Sequence, residues 1–72
     1  MRLTPYTPEW YQWGANESAR RVAELRNVKS QDDLVRMQDA ARLRRAAVGL
    51  SDGQTITAMA EAKRVGARGR QL

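Results

Sequence analysis

The chain has no cysteine, no histidine and no phenylalanine. Without cysteine a disulfide staple is impossible. Without histidine as well, the familiar nitrogen and sulfur zinc sites are excluded. The same two absences remove the commonest catalytic bases and nucleophiles, so an enzyme is not expected and no cofactor or metal is called for. No apolar run approaches the length of a membrane span; the longest, broken only by glycine, is Ala46 to Leu50. The first residues are polar and interrupted by proline, which does not read as a secretory signal. A soluble chain is expected, cytoplasmic or incorporated in a virus particle.

Seventy-two residues allow one domain at most. A domain of that size hides little surface on folding, and its hydrophobic gain roughly matches its entropy loss. With no phenylalanine and much alanine, the core inventory is lean, since alanine favours helix but buries little area. Oligomerisation, docking onto a partner, or very regular helix packing must supply the missing stability.

What is present is unevenly placed. All four aromatic residues, Tyr6, Trp10, Tyr11 and Trp13, lie near the start. Aromatic side chains offer large, rigid contact area and anchor protein interfaces, which makes these four the candidate partner-binding residues. The competing reading is that they fold back and complete the helical core. The net charge of +5 also has a location. Residues 1–35 cancel, and the excess lies in residues 36–72. Arg42, Arg44, Arg45, Lys63, Arg64, Arg68 and Arg70 are the candidates for an acidic surface or nucleic acid. Arg42, Arg44 and Arg45 point to different sides of a helix, which also fits an ordinary solvated set.

Local signals predict an all-α fold of two or three helices. An extended aromatic arm is expected over 1–7, a helical domain over 8–66 and a basic tail over 67–72. Thr7-Pro8-Glu9 is a helix start: a cap, a proline suited to the first turn, and an acid at the positive end. The helix runs to about Asn27, or breaks at Gly14 and restarts at Asn16. Tyr11, Ala15, Ser18/Ala19, Val22 and Leu25 keep the three-four spacing of an inward face. Ser30-Gln31-Asp32-Asp33 opens a second helix that should stop at Gly49. It carries two apolar stripes, Leu34/Met37/Ala41/Val48 and Ala40/Leu43/Ala47/Leu50, the pattern of a helix sandwiched on both sides. A third helix follows from about Asp52 or Gln54 to Val65, ended by Gly66.

Asp32 and Asp33 are adjacent but diverge on a helix, so they read as a capped start and not as a catalytic pair. Gly66-Ala67-Arg68-Gly69 lacks the lysine and following helix of a phosphate loop. The run Ala60 to Arg70 resembles the first helix and turn of a helix-turn-helix, with Ala62 in the helix and Gly66 four residues on. That resemblance implies a DNA-reading helix beginning near Ala67, for which few residues remain. The function expected is a non-enzymatic structural or adaptor protein, docked into a larger protein assembly or self-associated, with no small-molecule substrate and no membrane. Its size and economy suit a phage virion component or a phage-encoded host-directed protein. The alternative is a small DNA-binding regulator or packaging protein that uses its basic half on nucleic acid.

Overall fold

A computed structural model describes the backbone of residues 2–70 and the side chains of residues 2–66. It consists of three helices, α1 Pro8–Arg26, α2 Gln31–Ala47 and α3 Asp52–Arg70. The fold is all-α, with no strand among the described residues.

Each start is built from its sequence signal. The Thr7 hydroxyl accepts the Trp10 N–H, and Pro8 opens α1. The Ser30 hydroxyl accepts the Asp33 N–H at the head of α2. At α3, Ser51 and Gln54 exchange side-chain and main-chain bonds of 2.8 and 3.2 Å, a reciprocal capping box. Helix α2 ends on Gly49 at φ +72°, where the Gly49 N–H bonds Ala46 and the Leu50 N–H bonds Arg45. That pairing satisfies the last carbonyls through a left-handed residue only glycine adopts freely.

Two boundaries differ from the local reading. Helix α1 is continuous through Gly14, so Asn16 restarts nothing. Helix α3 passes through Gly66 to Arg70, so Gly66 is neither its stop nor a motif turn. A single glycine costs a helix about 1 kcal/mol, too little to end a long one by itself. The helix-turn-helix resemblance therefore fails at its turn. Of the expected basic tail, residues 67–70 continue α3 in backbone. The side chains of Arg68 and Arg70 lie outside those described.

Helix α1 is the central element. It packs mainly on α3 and less on α2, while α2 and α3 meet least. Trp10 shares a cleft with Gly53, Gln54 and Thr57, and Gly14, one turn on, meets Ala58 and Ala62, one turn on. Helices α1 and α3 therefore run in the same direction, with α2 returning between them in sequence. The contact is close: a Cβ at Gly14 would stand 2.4 Å from the Ala58 carbonyl oxygen. Thr55, Ala58 and Ala62 are buried on the α3 side, and the Thr55 hydroxyl donates to the Ser51 carbonyl.

The inward face of α1 is not the one the apolar spacing picks. Trp10, Gly14 and Glu17 are buried, while Ala15, Ala19, Val22 and Leu25 are exposed. The true face and the expected stripe differ by one residue, about 100° around the helix. In α2, Ala41 and the adjoining Val48 and Leu50 are buried, but Leu43 is 72 % exposed, so the second stripe is covered only at Leu50 and partly at Ala40.

Candidate functional site

The aromatic residues divide into two settings. Tyr6, Trp10 and Tyr11 form a cluster, with ring centroids 4.7 Å apart for Tyr6–Trp10 and 5.1 Å for Trp10–Tyr11. Trp10 is the inner member at 2 % exposure, and its Nε1 is buried without an acceptor. Placed there, Trp10 fills the α1–α3 junction and presents no surface of its own. Tyr6 covers it from outside at 60 % exposure, held at φ +65°, a backbone conformation uncommon for a non-glycine residue. Tyr11 is half-buried beside both.

Trp13 stands apart from the cluster. It is half-buried in a groove it shares with Leu3, Pro8, Gln12 and Val48. The N-terminal arm closes one side of that groove, because the Leu3 N–H bonds the Val48 carbonyl at 3.1 Å. The four aromatics thus form no single docking patch. Tyr6 and Trp13 are the accessible ends of two separate features.

The basic candidates are also dispersed. Arg44 leaves α2 and grips Glu17 of α1 with two parallel bonds of 2.8 Å, and reaches Glu24 at 3.0 Å. Arg21 adds a bond to Glu17 at 3.0 Å. Glu17 is only 3 % exposed, so this network is the polar centre of the α1–α2 contact. Burial pushes the Glu17 carboxyl up, but the bonds and charges of Arg44 and Arg21 outweigh it and hold the group below its ordinary range. The Glu17 bond, more than the opposing burial and with Glu24 beside it, raises the Arg44 guanidinium further. Sequence reasoning had not found this network, though Glu17, Arg21 and Glu24 already share the spacing of one helix face.

Arg45 pairs with Asp52 at 3.6 Å, Arg42 with Asp39, and Arg64 with Glu61. Of the basic candidates with described side chains, Lys63 alone has no carboxylate partner among the described residues. Among the described residues there is no group of acidic residues able to hold a metal ion and no helix long and apolar enough to cross a membrane. No protein-family model, no curated protein and no solved structure matches the chain.

Proposed function

We propose that this chain is a non-enzymatic helical adaptor that docks onto another protein within a larger assembly. The observation that carries the reading is the inversion of its apolar side chains. Beside Trp10, Val48 and Leu50, the internal contact is made by Gly14, Ala41, Ala58, Ala62 and an ion-paired Glu17, whereas Val22, Leu25, Val35, Leu43, Ile56 and Val65 face outward. Scattered exposed apolar residues are normal, but these leave about half of the larger aliphatics among the described residues on the outside of so small a chain. Tyr6 and Trp13 supply accessible aromatic edges at the N-terminal end. An accessory component of a phage particle, or a phage-encoded host-directed protein, is the setting such a chain suits.

A DNA-binding role draws no equal support. Arg42, Arg44, Arg45 and Arg64 each face a carboxylate of the same chain, which reduces what they offer to phosphates.

The test is site-specific photocrosslinking in the native organism from positions 6 and 13, with position 31 on the start of α2 as control. Discrete protein adducts from Tyr6 and Trp13, and none from Gln31, are expected. Adducts to nucleic acid in their place would refute the reading.

A further inference from the structure

On α1, Tyr11, Ala15, Ser18, Val22 and Leu25 form a straight line about 21 Å long at 1.5 Å per residue. Val22 is 49 % and Leu25 54 % exposed, Ala15 and Ala19 are exposed with them, and Tyr11 and Ser18 are half-buried. Ala15, Ser18 and Ala19 keep its middle shallow, so another backbone could approach closely. Helix α3 runs alongside in the same direction, and Val65, one turn beyond the Ala62 that meets Gly14, adds an exposed aliphatic from that neighbour. Two parallel helices with an uncovered face between them present ridges and a groove suited to one more helix.

The charges select the kind of helix. Arg26, the last residue of α1, follows Val22 by four residues, and Lys29 comes three residues later in the link to α2, which puts two cations near the Leu25 end of the line. Neither has a carboxylate partner among the described residues. The acidic residues of the same span, Glu17 and Glu24, are turned inward onto Arg44. The face is therefore apolar along its length, basic at one end, and free of unpaired acid. A second copy would bring the same cations to it.

Resting on the docking reading above, we infer that this face of α1, with Val65 of α3, seats an acidic amphipathic helix of another protein. The helix lays its apolar side on Val22 and Leu25 and its carboxylates against Arg26 and Lys29.

The probe is a displayed library of helix-forming peptides of about 18 residues, long enough to span the line. Aliphatic residues occupy the a and d positions, and Glu, Lys or Gln are drawn equally elsewhere. Panned against the full chain at about 0.05 M salt, it should yield peptides enriched in Glu over Lys that weaken about tenfold by about 0.3 M. The same peptides should bind Val22→Gln/Leu25→Gln about tenfold more weakly, since two apolar contacts are lost. The circular dichroism of that variant should match the parent. Arg26→Glu/Lys29→Glu should reverse the preference towards Lys.

Failure to select any peptide overturns the inference, as does Lys enrichment or undiminished binding to Val22→Gln/Leu25→Gln. A dimer of the bare chain that this variant dissociates also overturns it, because a second copy then holds the face. Peptides lost with Tyr6→Ala/Trp13→Ala but kept by Val22→Gln/Leu25→Gln overturn this face while leaving the adaptor reading standing.

Discussion

Two residues decide whether the helices meet, and both can be challenged singly. Gly14→Ala gains about 1 kcal/mol of helix propensity. Its methyl group, however, falls 2.4 Å from the Ala58 oxygen and 2.7 Å from the Ala58 carbon, which are backbone and cannot swing aside. Overpacking of that kind costs about 1–3 kcal/mol or more, so a lower melting temperature is expected in a thermal scan. Trp10→Ala removes the largest buried side chain, a loss of about 3–5 kcal/mol. A chain this short holds only about 4–11 kcal/mol in total, so loss of most helical signal at ordinary temperature is expected. Trp13→Ala should leave the circular dichroism nearly intact.

Glu17 gives a pH signature. Its folded pKa lies below its unfolded one, so the stability it contributes is fully present above the ordinary carboxylate range. That stability is lost as pH falls below about 4.3, through the folded value. Glu17→Gln strips Arg44 and Arg21 of their shared partner, and should cost about 2 kcal/mol at neutral pH. That is less than the ~3–5 of a fully buried pair, because Arg44 keeps 20 % of its side chain in water. Melting curves of the variant should show a weaker loss of stability on acidification than the parent; equal slopes would remove Glu17 from this role.

The helices themselves were largely legible in the sequence. Thr7-Pro8, Ser30 with its acidic turn, Ser51-x-x-Gln54 and Gly49 all act as their chemistry dictates. What local chemistry did not settle was which glycine ends a helix. Gly49 does, at positive φ with Arg2 against it. Gly66 sits in open space within α3, with nothing near the place its Cβ would occupy. Gly66→Ala should therefore stabilise by about 0.5–1 kcal/mol, and Gly49→Ala should destabilise, as paired thermal melts would show. The inward face of α1 was not legible either. Periodicity weighs side chains one at a time, and it favoured Val22 and Leu25. The real contact is chosen by how near two backbones can come at Gly14 and by a carboxylate shared between helices. Neither is visible until α3 and α2 are in place. For the same reason Arg44 read as a surface cation, and Trp10 could not be told from an anchor.

For the whole molecule, the radius of gyration of 13.1 Å exceeds the roughly 11 Å typical of a compact chain of this length. The extents of 40 × 29 × 16 Å describe a flattened body. With α2 held to α1 mainly through Ala41, Val48 and the Glu17 network, the structure is wide for its core. Its two tryptophans should report this asymmetry. Trp13→Phe, with Trp10 alone, should emit blue-shifted light that acrylamide quenches poorly. In the parent, a second, accessible component from Trp13 should quench readily. A single quenchable population in Trp13→Phe would mean that the α1–α3 junction is open.

The pairing of the first helix with the last sets a condition on biosynthesis. A ribosome that has released α1 and α2 has not yet produced the α3 surface against Trp10 and Gly14, because Gly53, Gln54, Thr57, Ala58 and Ala62 are still to come. Until then the aromatic segment waits in the open, within reach of chaperones and of whatever it binds. Closing the long span from Gly14 to Ala58 carries an entropy cost that the short turns of a helical hairpin avoid. Compaction is therefore late, arriving with the final helix, and a message cut short after α2 would yield a chain unable to bury its own tryptophan.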